Sequence, residues 1–282
     1  MAQNKVTVRK KKKFSPAILI IAVIACFCYL FPMYVLLNMS LRSLDDIGSK
    51  LVFPEIINIG NYLSVLRNGS VWIGFKNSII LVTITVTVEI VASALGGYGI
   101  SRSNNRMSEW IRHGSMAVMM VPGIALLVGT YSMMTKLGMV NSLWGLALLT
   151  AAGGIPGCMF LYTNFVSSIP QALDEAATID GANVLQTFFK IILPQLRAVT
   201  ITRIIVIATG CWNAYLMPLY LLQKKQKHTI ILVIKSAFSS LNGIINVPRA
   251  CATCVIGILP IVILFIFLQK YIIEGQLDSS VK

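Results

Sequence analysis

Three long stretches of this chain contain no Asp, Glu, Lys or Arg: Ser15 to Leu41, His113 to Thr135, and Leu137 to Leu173. A helix that crosses the hydrocarbon core of a bilayer needs about 20 mostly apolar residues, so each stretch is long enough to span. A buried soluble core also holds apolar helices, but not so many in 282 residues. Only 12% of the residues are charged, about half the share of an ordinary soluble domain. The hydropathy pattern predicts an all-α integral membrane protein with about six transmembrane helices.

The predicted spans are Ala17–Met39 (interrupted by Pro32), Asn77–Ile100, Gly114–Thr135, Leu143–Phe165, Val199–Leu222 and Cys251–Ile272. Ser40–Lys76 reads as an external polar loop, Val166–Gln195 as a polar internal segment, and Gln223–Arg249 as a basic external loop. No sequence repeat, low-complexity block or separate soluble domain is visible. The domain reading is therefore a basic cytoplasmic tail over 1–16, a transmembrane domain over 17–272, and a cytoplasmic tail over 273–282. The first apolar run follows Arg9–Lys13 as in a secretory signal, but it is too long and lacks a small-x-small cleavage site. It reads as an uncleaved first span.

Lys and Arg favour the cytoplasmic side of a membrane. The tail carries Lys5, Arg9, Lys10, Lys11, Lys12 and Lys13, which puts both termini inside. With that orientation thirteen Lys or Arg lie on internal segments, ten on external ones and Arg203 within a span. The external segments carry only Asp45, Asp46 and Glu55 as acids. Such a positive outer face favours an acidic partner or an anionic glycan through electrostatic steering.

Little here suggests catalysis. Cys251 and Cys254 make a C-x-x-C, but at the start of an apolar span, where cysteine acts as a small apolar residue. No His/Asp/Glu constellation or metal spacing appears, so no catalytic residue and no metal site is expected. No nucleic acid partner is expected either.

The informative stretch is Ser167-Ser-Ile-Pro-Gln-Ala-Leu-Asp-Glu-Ala-Ala-Thr-Ile-Asp-Gly, continuing to Ile191-Ile-Leu-Pro194. Ser167 or Ser168 suits a helix cap, and Pro170 an early helical position. Asp174 and Glu175 lie where the helix dipole favours negative charge. Ala176 and Ala177 allow another surface to approach closely. Gly181 suits the helix end, and Pro194 limits the helix entering the fifth span. The segment 167–195 thus predicts a short amphipathic helix on the inner side, exposed where a partner can grip it.

These residues resemble the EAA motif of ABC importer permeases, which is E-A-A, three residues, G, nine residues, I-x-L-P. Glu175, Ala176, Ala177, Gly181, Ile191, Leu193 and Pro194 match at that spacing. Asn77-Ser78, Gly97-Tyr98-Gly99-Ile100-Ser101-Arg102, Trp212-Asn213 with Pro218-Leu219, and Gln269-x-Tyr271-x-x-Glu274-Gly275 look like the maltose-type carbohydrate permeases. The end Gln276–Lys282 departs from the Gly/Ala-rich tail common in that family, and the basic loop Gln223–Arg249 is also unusual.

The resemblance implies the type I ABC importer transmembrane fold with a cytoplasmic coupling helix. In that reading Asp174, Glu175, Ala176, Ala177, Asp180 and Gly181 couple to a separate ATP-binding cassette ATPase dimer. The implied partners are a second homologous permease, that ATPase and an extracellular or periplasmic sugar-binding protein. This chain has no G-x-x-x-x-G-K-[ST] to cradle phosphates, so ATP and Mg are expected on the ATPase and no cofactor here. Trp212, Asn213, Tyr215 and Tyr131 are the candidates to line a sugar path, since sugars present both C–H faces and hydroxyls. Glu89, in the middle of the second span, costs roughly 2.5 kcal/mol or more unless it faces a cavity or a partner; Arg203 is its candidate partner. Two alternatives remain. One is an importer for an amino acid, phosphate or polyamine; the other is an ion-coupled secondary transporter, which leaves the coupling-helix pattern unexplained.

Overall fold

A computed structural model of the chain describes residues 16–46, 48–103, 105–239 and 245–280. The basic residues of the N-terminal tail lie outside the described residues, as does the final Val281-Lys282. Every regular element among the described residues is helical. The long helices are α1 (Pro16–Ser40), α3 (Gly69–Arg102), α6 (Leu143–Ser167) and α13 (Val247–Ser280). Among the described residues four helices are long and apolar enough to cross a membrane, or up to six if two bent pairs each count as one span.

α1 has Pro at its first position and packs along α13. Its side chains are exposed over most of its length, as lipid-facing apolar residues are. The following segment, read as plain loop, is more ordered. Arg42 is buried and binds the carbonyls of Gly48, Ser49 and Val52 together with the Asp46 carboxylate, 3.1 Å away. Asn61, on α2 (Gly60–Arg67), donates to the Ser40 and Arg42 carbonyls at 2.9 and 2.8 Å. The second span also starts earlier than Asn77. Asn68 accepts from the Ser70 N–H and caps α3 at Gly69. α3 then runs 34 residues, about 50 Å.

α3 and α6 form the central pair. A Cβ at Gly97 would fall 2.6 Å from the Tyr162 Cβ and 2.9 Å from the Thr163 nitrogen. Only glycine allows this close contact, the usual device of helix packing in membranes.

The third predicted span is not one helix. α4 (Arg106–Met119) and the Gly123–Lys136 segment, which ends in α5 (Leu127–Lys136), meet at 89°. Pro122 at the corner lacks an N–H and pushes the residue before it out of helical geometry.

The fifth span is broken as well. α7 (Ala172–Ile179), α8 (Val184–Thr187), a π turn (Phe188–Ile192) and α9 (Leu193–Gln195) lead into α10 (Arg197–Trp212) across a 79° bend. α10 stops at Trp212, and α11 (Leu216–Leu221) restarts after Asn213–Tyr215. Pro218 falls in the first turn of α11, where it has no helical N–H to give up, and the residue four back, Ala214, lies in the break.

The region read as loop Gln223–Arg249 contains α12 (Ile230–Ala237), with Ile230, Leu232 and Val233 buried. It is held by α3: Asn77 Nδ2 donates to the Gln226 and His228 carbonyls, both at 2.9 Å, and Ser78 Oγ accepts from the Ile230 N–H at 2.9 Å. α13 continues through the segment read as a polar tail, to Ser280.

Candidate functional site: the α7 helix and the α10 lane

Two arrangements bring the sequence-selected residues together. The first is α7. Ser167 and Ser168 do not cap it. Ser167 Oγ donates to Thr163 and pairs with Ser101 Oγ, while Ser168 Oγ donates to Phe165, so both finish α6. The N-cap of α7 is Gln171 with no side-chain cap, and Pro170 stands just outside the helix. At the other end Gly181 takes φ +79°, its N–H reaches the Thr178 carbonyl, and the Ala182 N–H reaches the Ala177 carbonyl at 2.9 Å. This is the Schellman closure, and the left-handed residue it needs is glycine. Asn183 and Gln186 then cap each other's backbone and open α8 at once. α7 is therefore a short rod with both following turns fixed by local bonds.

The motif residues of α7 point in different directions. Ala177 is buried, whereas Glu175, Ala176 and Asp180 are exposed and Ile179 is 86% exposed. Asp174 turns inward. It accepts from Tyr98 Oη at 2.6 Å and Arg102 Nε at 3.1 Å, and forms an ion pair with Arg102 Nη2 at 2.9 Å. Arg102 Nη2 also donates to the Ile169 carbonyl at 3.1 Å. The Tyr98 ring lies 5.3 Å from that of Phe188. Tyr98 and Arg102 are one helical turn apart at the end of α3, in the Gly97–Arg102 segment, to which the sequence alone gave no role. A Tyr and an Arg at this spacing beside an acidic short helix are the signal that could have found them.

The second arrangement lies along α10. Arg203 Nη2 sits 3.0 Å from Glu89 Oε1. Glu89 is about 20 Å along α3 from Arg102 and only 3% exposed. Gly154 of α6 makes room for it, since a Cβ there would overlap the carboxylate. Thr85 and Ser93 flank Glu89 on α3 and donate to the α6 carbonyls of Ala147 and Ile155 at 3.3 and 3.4 Å. Val206, Gly210 and Asn213 follow Arg203 at helical spacing and are exposed, giving one open lane with the ion pair at one end.

The other path candidates lie apart from this lane. Trp212 is buried, donates from Nε1 to the Gly257 carbonyl at 3.1 Å and stacks 6.1 Å from Phe75, so it fastens α10 to α13 and α3. Tyr215 is half-buried against the cluster of Leu81, Met134 and Leu146. The Tyr131 hydroxyl accepts from Gln223 Nε2 at 3.3 Å.

Comparison with known proteins fits this geometry. The family described as "Binding-protein-dependent transport system inner membrane component" matches residues 89–275. The melibiose/raffinose/stachyose import permease protein MelC of Bacillus subtilis is 31% identical over 265 residues, 94% of this chain and 95% of that protein. The multiple sugar-binding transport system permease protein MsmG of Streptococcus mutans is 31% identical over 90% of this chain and 92% of its own length. Among solved structures, a chain of a bacterial ABC transporter involved in the import of alginate superposes with a TM-score of 0.81. It is 22% identical, and the match covers 93% of this chain and 99% of that one.

Proposed function

Because the chain belongs to the family of binding-protein-dependent transport system inner membrane components, we propose that it is the membrane permease of an ATP-driven carbohydrate importer. Its fold is the type I ABC importer transmembrane fold. Its relatives carry saccharides, among them melibiose, raffinose and stachyose, which favours an oligosaccharide over an amino acid, phosphate or polyamine.

The observation that carries the reading is α7, a rod closed at its C-terminal end by Gly181, with Glu175, Ala176 and Ile179 exposed at the end of α3 farthest from the Asn77 clasp. The exposed face of α7, with Asp180 and Gly181 at its end, is the surface on which an ATPase subunit seats. ATP and Mg bind that subunit, and this chain transmits its closure. Both termini and α7 lie on the cytoplasmic side of the cytoplasmic membrane, as the basic tail implies. The opposite end, with α12 and the lysines of the loop before it, meets a solute-binding protein. A second homologous permease covers the lane of Val206, Gly210 and Asn213, where Asn213 offers a donor and an acceptor to a sugar.

The test is uptake by the reconstituted complex against a panel of mono- and oligosaccharides, with amino acids, phosphate and polyamines as competitors. ATP-dependent uptake of a saccharide, with the ATPase and binding protein co-purifying, is expected. Uptake of another solute, or a complex without an ATPase, overturns the reading.

A further inference from the structure

We propose that Asp174 is the joint that fixes the α7 lever to α3, a positioning residue and not a contact to the ATPase. This deepens the permease reading and rests on it. Glu175, its neighbour in the motif, is exposed, whereas the Asp174 and Arg102 side chains are only 16% and 15% exposed. The Asp174 carboxylate already receives three donor contacts, from Tyr98 Oη, Arg102 Nε and Arg102 Nη2. A carboxylate offers about four acceptor sites, so little capacity is left for a partner protein.

The donors are themselves fixed. Tyr98 is wedged by the Phe188 ring from the segment after α7, and Arg102 also grips the Ile169 carbonyl just before it. One residue back on α3, Ser101 Oγ meets Ser167 Oγ at the end of α6, 2.9 Å away. The last turn of α3 thus touches the chain before, within and after the lever.

Hydrogen bonds to charged groups are the strong ones. α7 cannot slide on α3 without breaking several at once, so force applied to its outer face moves α3 with it. Without the Asp174 contacts the ATPase moves α7 alone, and nucleotide is consumed without transport.

Two measurements test this. In the full chain in lipid nanodiscs, Asp174→Asn is expected to speed amide exchange over residues 172–182 by about tenfold, the effect of losing roughly one charged hydrogen bond. In the complete complex in proteoliposomes, saccharide moved per ATP hydrolysed is expected to fall by a similar factor while the ATPase stays bound. Asp174→Glu, which keeps the charge, is expected to recover most of both. Tyr98→Phe is mild enough to fold in any case and is expected to give a smaller loss of the same kind.

Unchanged exchange in both Asp174→Asn and Tyr98→Phe overturns the joint. So does loss of ATPase binding in Asp174→Asn with wild-type behaviour in Tyr98→Phe, because Asp174 is then a direct contact. If the wild-type complex moves no saccharide but the exchange effect is present, the permease reading fails and the joint stands.

Discussion

Consider removing one partner of the Glu89–Arg203 pair at a time. The two partners sit unequally: the Glu89 side chain is 4% exposed and that of Arg203 is 22% exposed. Arg203→Met strands a carboxylate among Thr85, Ser93 and the packed face of Gly154. Removing one member of a buried pair costs about 3–5 kcal/mol, in line with the roughly 2.5–3.5 kcal/mol for an ionisable group at mid-membrane. Glu89→Gln leaves the cation on the side that already reaches the open lane, and the amide oxygen still accepts from Nη2, so the loss is about 1 kcal/mol. At roughly 2–4 °C per kcal/mol for a chain of this size, Arg203→Met lowers the unfolding midpoint by roughly 6–20 °C and Glu89→Gln by roughly 2–4 °C. Combining Glu89→Gln with Arg203→Met recovers much of the loss, since no charge is left buried. The assay is thermal unfolding of the purified chain followed by size-exclusion fluorescence. If Glu89→Gln proves as damaging as Arg203→Met, or the double substitution is no better than Arg203→Met alone, the argument from unequal burial is wrong.

Gly154→Ala pushes a methyl into the Glu89 carboxylate and is expected to cost about 1–3 kcal/mol, as overpacking does. Gly153→Ala, with nothing within 4 Å of its Cβ, leaves the same unfolding midpoint unchanged. Gly181→Ala places a side chain at φ +79°, costs about 1–2 kcal/mol locally, and is expected to lower transport per ATP in the reconstituted complex. Asn77→Ala leaves the Gln226 and His228 carbonyls without their donor and is expected to raise labelling of a cysteine placed at Gln226. Burial, and then Lys225 and Lys235, hold the His228 ring below the ordinary histidine value of 6.5, against the opposing pull of the Gln223 carbonyl. The unfolded loop therefore binds the proton first, and the stability of the 223–230 loop is full above pH 6.5 and falls as pH drops through the folded value. Labelling of the same cysteine, normalised to a free thiol at each pH because the thiolate is the reactive form, is expected to be faster at pH 5.5 than at 7.5, and the difference to vanish in His228→Gln.

The sequence was most legible where composition decides. Long apolar runs marked α1, α3, α6 and α13, α3 despite the charge of Glu89 in its middle, because no soluble packing accommodates them all. It was least legible where geometry turns on one residue. Pro122 and Pro218 break spans whose hydropathy is continuous, so a window of apolar residues reads through them. α12 is short and apolar inside a basic loop, and nothing local separates it from its surroundings until Asn77 and Ser78 bind its start. The EAA spacing singled out α7 but could not divide its residues, since whether Asp174 or Glu175 faces outward depends on Tyr98 and Arg102, more than 70 residues away. Trp212 looked like a sugar platform because aromatic residues serve both packing and recognition, and here packing holds it.

Among the four long helices, α1, α6 and α13 each carry an internal proline, at Pro32, Pro156 and Pro260, whereas α3 has none. A strut about 50 Å long with no proline hinge turns small rotations into large excursions. Pivoting α3 by 10° about its Arg102 end swings Asn77, about 38 Å away, through about 6.5 Å. That is enough to carry the Asn77 grip, and the α12 segment it holds, by the width of a sugar ring.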